Sequence, residues 1–320
     1  MHSGEGIRAF YGAARIEIER DTQRGDRVTV LLHSRPVPRS LPYPVRTVSP
    51  NEVLPPSPTR PLSIGLDGRG APVNLPLFGA AGGTSLLAGG VPGSGKSSLV
   101  RVILAGLAPT QTCIVAIDPT GGAEGRLWGR RITQLVSSAE PVPTMTLLRE
   151  VLALIERRGR ILGAGGPIGR FTPVVLVCDE LAELAAAGTP KEQDEARTAL
   201  RRIVALGRKA DVSVVLATQR TTSTSIDVTT RSLVAWRLAL AHPDDVHGSE
   251  ALLGPGRREA ALLAKSDVGV GYLTNGGTPT MVTVFHLSAE QVGHVVAGCG
   301  TSSLEDIASW ETASLRELTP

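Results

Sequence analysis

The run Gly90-Val91-Pro92-Gly93-Ser94-Gly95-Lys96-Ser97 constrains this chain more than any other part of it. It satisfies G-x-x-x-x-G-K-[ST], and its flanks supply the context the motif needs: TSLLAGG reads as a buried strand before it, SSLVRVILAGLA as an amphipathic helix after it. Gly90, Gly93 and Gly95 permit backbone conformations that a side chain would obstruct, so successive N–H groups can point at phosphate oxygens. The helix start adds the positive end of its dipole. Lys96 supplies a point charge for the β- and γ-phosphates, and the Ser97 hydroxyl is a small oxygen ligand suited to Mg²⁺. Gly90, Gly93, Ser94, Gly95, Lys96, Ser97 and Ser98 are the candidate nucleotide-binding set for ATP.

Around this loop, apolar β-branched runs alternate with helical patterns. Strands are expected at 84–89, 112–118, 173–179, 212–218 and 233–240, helices at 95–107, about 144–162 and 192–207, and a closing hairpin near 268–287. Such alternation implies an α/β fold with a mainly parallel sheet between helices. Before it, Arg27–Leu32 reads as one strand of a small β-rich N-terminal segment, preceded by the charged stretch IEIERDTQRGDR. Nine of the 23 prolines fall between Pro36 and Pro61, so that stretch reads as an extended connector. The expected organisation is therefore 1–61 as segment and connector and 62–320 as one nucleotide-binding domain.

Two further runs end in polar residues. Pro173-Val-Val-Leu-Val-Cys-Asp179-Glu180 places two acids at the carboxyl edge of a parallel sheet, where ligands of open α/β sheets bind. Neighbours on a strand point to opposite sides, so the acids must have different tasks. Asp179 is expected to hold Mg²⁺ through its water shell, and Glu180 to orient or deprotonate the attacking water. The pair also suits the acidic start of a helix, ELAELAAAG; the phosphate loop upstream decides for the functional reading. Val212-Ser-Val-Val-Leu-Ala-Thr-Gln219-Arg220 ends at the same edge, so Gln219 either touches the γ-phosphate or its water or is a hydrogen-bonded turn residue.

Composition fits a soluble globular chain of 320 residues, with 42% hydrophobic and 20% charged residues and only 3% aromatics, so the core must be built from Ala, Val, Leu and Ile. Of 33 basic residues 29 are arginine and the net charge is +3, which permits a polyanionic partner without requiring one. Arg197, Arg201, Arg202, Arg208 and Lys209 form the densest basic stretch, read either as a solvated helix face or as a contact to DNA phosphates. Cys113 and Cys178 lie in Val/Ile-rich runs and read as small buried hydrophobes, fitting a reducing cytosol. No run has the ~18 to 20 apolar residues of a membrane helix.

These elements, in this order and spacing, resemble the motor domain of the FtsK/SpoIIIE family of ring ATPases that pump double-stranded DNA. PLSIGLDGRGAPVNLPL resembles the family's entry segment, LLAGGVPGSGKSSLVRVIL its nucleotide loop, VVLVCDELAEL its acidic motif and LRRIVALGRKADVSVVLATQR the stretch leading to its glutamine sensor. The likeness runs on through LVAWRLALAHPDD, SEALLGPG and DVGVGYL, from about 61 to 290. RIEIERDTQRGDRVTV and IDPTGGAEG look most like the actinobacterial branch that moves plasmid DNA between cells. The resemblance implies a RecA-like P-loop NTPase fold, ATP and Mg²⁺ as cofactors, a ring of subunits, hexameric in the family, and double-stranded DNA as partner. It also implies an arginine reaching a neighbouring subunit's site, with Arg237, which interrupts the apolar run LVAWRLAL, as candidate and Arg220 as rival. A cytoplasmic location at the inner membrane face, with a membrane-anchored partner, completes the expectation. Where relatives read aspartate-proline-lysine the chain has Asp118-Pro119-Thr120; the membrane helices of many relatives and a DNA-reading winged helix are not evident, and SAEQVGHVVAGCG reads as a closing helix before a polar tail. The alternative is a protein-secretion motor of the EccC type; those carry several motor domains in series, whereas this chain has one phosphate loop.

Overall fold

The computed structural model of the chain describes residues 15–20, 28–33, 41–45, 61–166, 171–220, 227–297, 299, 303–309 and 311. In chain order the strands are β1 (Arg15–Arg20), β2 (Val28–His33), β3 (Leu41–Pro42), β4 (Leu62–Leu66), β5 (Pro72–Leu75), β6 (Phe78–Gly79), β7 (Gly82–Gly83), β8 (Ser85–Gly89), β9 (Cys113–Ile117), β10 (Gln134–Val136), β11 (Val174–Cys178), β12 (Val212–Thr218), β13 (Trp236–Leu240), β14 (Val270–Thr274) and β15 (Thr280–His286). The helices are α1 (Lys96–Leu107), α2 (Ala123–Arg126), α3 (Pro141–Gly163), α4 (Leu181–Ala186), α5 (Pro190–Leu206), α6 (Val228–Leu233), α7 (Val246–Leu253) and α8 (Ala289–Val296).

An 11-stranded sheet runs in the order β10-β9-β11-β12-β8-β13-β14-β15-β4-β5, with β3 beside β15. From β10 to β13 all pairings are parallel; from β13 to β5 they are antiparallel. Every residue of β8, β9, β11 and β12 is buried, because helices cover both faces and no alternation with polar residues survives. Alternate side chains feed two cores. Leu86, Ile114, Val175 and Val215 pack with Leu99 and Ile103 of α1, while Leu87, Val115, Leu176 and Val214 pack with Leu148 and Val151 of α3 and Leu200 and Ile203 of α5. The α5 start is set by a capping box between Thr189 and Glu192 followed by Pro190.

The expected strands and helices occur, except that the strand expected at 233–240 begins only at Trp236, Leu233 being the last residue of α6; Cys113 and Cys178 are buried in their strands. Three further expectations need correction. The charged stretch before β2 contains a strand, β1, antiparallel to β2 with Ile16 opposite Leu32. Within the proline-rich stretch, Leu41–Pro42 pairs with β15 at Phe285. The polar tail docks in part: residues 304–309 are helical, Ile307 is buried in the second core, and Glu311 accepts from Nε of the buried Arg158 at 2.8 Å.

The far end of α1 is fastened by another buried arginine. Arg131 is 1% exposed and its guanidinium donates only to carbonyls: Ala108 at 3.2 Å, Thr112 at 2.7 Å, Leu107 at 3.0 Å and Thr110 at 3.0 Å. A cation at a helix C-terminus meets the negative end of the dipole and the carbonyls that lack helical partners. Burial pulls its pKa down to about 10, so it stays charged at neutral pH. Arg131→Met should fill the space but strand the carbonyls, lowering stability by about 3 kcal/mol in denaturant melts. Wild-type stability in that variant would show that packing, not the carbonyl contacts, is what Arg131 provides.

Candidate active site

The topology sets β12 between the phosphate-loop strand β8 and the acid strand β11. The carboxyl ends of β8, β12, β11 and β9 therefore stand side by side, bearing Gly90, Gln219, the pair Asp179 and Glu180, and Asp118. Asp179 N donates to Ile117 O at 3.0 Å, fixing the acid end against β9.

The phosphate loop is held from below. Val91 N donates to Ala241 O at 3.2 Å and Gly269 N donates to Ser94 O at 2.8 Å. Gly95 precedes α1 with φ 108°, and a Cβ there would stand 2.9 Å from Gly269 Cα, so both conformation and space demand glycine. Lys96 is buried, and its ammonium donates to Gly90 O at 2.7 Å and Val91 O at 3.1 Å. Burial lowers its pKa, against which Glu180 and Asp179 act. Ser97 and Gly93 are exposed. The buried Ser94 hydroxyl has no hydrogen-bond partner among the described residues. Ser98 Oγ lies 3.2 Å from Nδ1 of the exposed His286 at the end of β15.

The two acids occupy different surroundings. Asp179 borders a cleft with Ser97, Arg101, Asp118, Glu124 and Trp128. Burial first, then the charges of Asp118, Glu124 and Glu180, push its pKa up to about 6, against Lys96. Glu180 turns the other way, towards β12. It caps α4 by accepting from Ala182 N at 3.3 Å, and it accepts from Thr218 Oγ1 at 2.9 Å and Gln219 N at 3.1 Å.

Arg101 donates from Nε at 2.7 Å and Nη2 at 2.5 Å to the Glu124 carboxylate, tying α1 to α2. In the Asp118-Pro119-Thr120 turn the Thr120 hydroxyl donates to Asp118 Oδ1 at 2.7 Å. The threonine that departs from the family pattern thus closes onto the aspartate. Thr218, Arg101 and Glu124 escaped the sequence reading. Thr218 carried a signal, as the first polar residue to close its apolar run, but it was overshadowed by Gln219.

The side chain of Gln219 is exposed, and its placement here comes through its backbone. Arg237 lies opposite Leu87, below the carboxyl edge, half-buried, and its Nε has no hydrogen-bond partner among the described residues; burial and the neighbouring Arg231 lower its pKa. The dense basic stretch divides. Arg197 donates to Ala185 O at 3.0 Å and Arg202 pairs with Glu156 at 2.9 Å, while Arg208 and Lys209 are exposed.

A glycine-cradled helix N-terminus with its lysine and serine, beside an acidic strand end of a parallel sheet, defines a P-loop fold with a candidate nucleotide site. No protein-family model matches the chain. It is similar to the DNA translocase FtsK of Lactiplantibacillus plantarum, 31% identical over 242 residues, 64% of this chain and 29% of that protein. It is also similar to the transfer protein TraSA of Streptomyces ambofaciens, 31% identical over 153 residues, 41% of this chain and 36% of that one. A more distant relative is the type VII secretion system protein EssC of Staphylococcus aureus, 24% identical over 67% of this chain and 15% of EssC. Among solved structures, the pCW3 conjugation coupling protein TcpA, in its monomer form with ATPγS, superposes with a TM-score of 0.70 at 17% identity, covering 91% of this chain and 83% of that one. The cytoplasmic domain of the Thermomonospora curvata type VII secretion ATPase EccC gives 0.63 at 23% identity, over 78% and 32%. These similarities agree with the resemblance to the FtsK/SpoIIIE family read from the sequence. The chain spans less than half the length of each of these curated relatives.

Proposed function

We propose that this chain is an ATP-hydrolysing motor, with 62–320 as motor domain, that assembles as a hexameric ring and translocates double-stranded DNA in plasmid conjugation or DNA segregation. The observation that carries the reading is the 31% identity with a DNA translocase over 242 residues. In this reading Lys96 and the loop amides hold the phosphates, and Glu180 activates the attacking water. Gln219 contacts the γ-phosphate or that water. Arg237 serves the neighbouring subunit's site, with Arg220 as rival.

Mg²⁺ fits the donor set. Ser97 and Asp179 are hard oxygen ligands, and burial first, then the nearby carboxylates of Asp118, Glu124 and Glu180, raise the pKa of Asp179, a setting that a bound cation would relieve. These two residues would hold the ion, which when bound neutralises charge on the phosphates. Among the described residues no helix is long and apolar enough to cross a membrane; we place the motor in the cytoplasm, recruited to the inner membrane face by an anchored partner. DNA would be gripped through its phosphates, which need cations but no base code, and the exposed Arg208 and Lys209 are the contacts we favour within the basic stretch.

Duplex DNA should raise ATP turnover, and the effect should fade steeply as salt rises, because each neutralised phosphate releases counterions. Turnover that ignores saturating duplex at low salt would count against a DNA motor. Stimulation by a secreted polypeptide instead would support the secretion reading, to which the likeness to EssC and EccC lends weight.

A further inference from the structure

Glu180 is 5% exposed, and its carboxylate is already occupied by the chain. Oε1 accepts from Ala182 N at 3.3 Å, Thr218 Oγ1 at 2.9 Å and Gln219 N at 3.2 Å, and Oε2 accepts from Gln219 N at 3.1 Å. These are three donors, the Gln219 N–H being shared by both oxygens, against about four acceptor positions, so most of the carboxylate is tied to β12 and α4. Freeing the carboxylate to act on a water means loosening these contacts.

Thr218 is the contact built to let it turn. This last residue of β12 is 0% exposed. Its hydroxyl lies 2.9 Å from two acceptors, Glu180 Oε1 and Arg220 O, and it accepts from Arg220 N at 3.1 Å. One hydroxyl proton serves one acceptor at a time. When Glu180 leaves, the proton can swing to the Arg220 carbonyl, so the Thr218 hydroxyl keeps an acceptor, while the amides of Ala182 and Gln219 give theirs up. We propose that Thr218 is a positioning residue: a two-position latch that holds Glu180 towards β12 at rest and releases it for hydrolysis. Arg220, the other acceptor, opens the connection to α6, so a shift of its carbonyl changes how firmly the latch holds. The inference rests on Glu180 being the water-activating group.

The test is steady-state ATP turnover of the full chain without DNA, in Thr218→Val, Thr218→Ser and Glu180→Gln. Valine keeps the shape and lacks the hydroxyl, so kcat should rise about tenfold, the scale of one hydrogen bond to a charged group, while KM for ATP stays within about twofold. Serine restores the donor and should behave as wild type. A residue that only ties off the strand would give the opposite, a lower kcat with serine intermediate. A fall or no change in kcat for Thr218→Val overturns the latch. Should valine prevent folding, Thr218→Cys, a weaker donor of similar size, should show a smaller rise, and wild-type turnover in that variant overturns the latch equally. Glu180→Gln separates the two levels. If it retains turnover, the role of Glu180 is wrong and the latch falls with it; if it is inactive while Thr218→Val matches wild type, the latch alone is wrong.

Discussion

Lys96→Ala and Glu180→Gln should both abolish turnover, yet fail in different ways. The lysine variant loses the ammonium that charge-assists phosphate binding, and nucleotide affinity should drop by about ten- to a hundredfold. That ammonium also holds the Gly90 and Val91 carbonyls, so its loss loosens the cradle as well. Glutamine at 180 cannot accept a proton or polarise water as a carboxylate does, but it leaves Ser97 and Asp179 untouched on the opposite side of the strand. ATP should bind at wild-type affinity and persist, with turnover reduced by about 10²- to 10⁴-fold. Equilibrium binding of a fluorescent ATP analogue beside single-turnover hydrolysis distinguishes them, and equal loss of binding in both would remove Glu180 from its assigned role.

Arg237→Ala should bind ATP normally and turn it over about 10³- to 10⁵-fold more slowly, the range measured for arginine fingers in other phosphoryl-transfer enzymes. Its Cα pairs with Leu87, below the carboxyl edge that carries its own phosphate loop, and its Nε meets no acceptor among the described residues. A buried donor without a partner costs free energy, which an acceptor supplied by a neighbouring subunit would recover. Mixing Arg237→Ala with Lys96→Ala should therefore restore activity at interfaces that pair an intact loop with an intact arginine. Normal activity of Arg237→Ala alone would end the proposal and leave Arg220, exposed beside the site, as the candidate.

The phosphate loop, the alternation of apolar runs with helices and the acidic strand end were legible in the chain because each depends on neighbours in sequence. Glycines and a lysine at fixed spacing, a period of two against one of 3.6, and polar residues that close an apolar run are local facts. The α/β class and the edge that bears the site follow from them. The acidic pair could likewise be split between two tasks, since adjacent strand residues face opposite ways.

Local facts could not show which strands lie side by side. That β12 separates β8 from β11 is decided by how helices and connections pack, and it alone brings Thr218 against Glu180. The same holds for Arg131, whose carbonyl partners gather from the end of α1 and the turn into β9, and for the bond of Glu311 to Arg158 across 153 residues. It also holds for the basic stretch, which pattern renders as one patch but packing divides between helix carbonyls, an ion pair and solvent. Periodicity reports which face of an element is buried. What that face meets is set by the burial of the whole sheet, and polar contacts between distant segments follow only once water has been excluded around them.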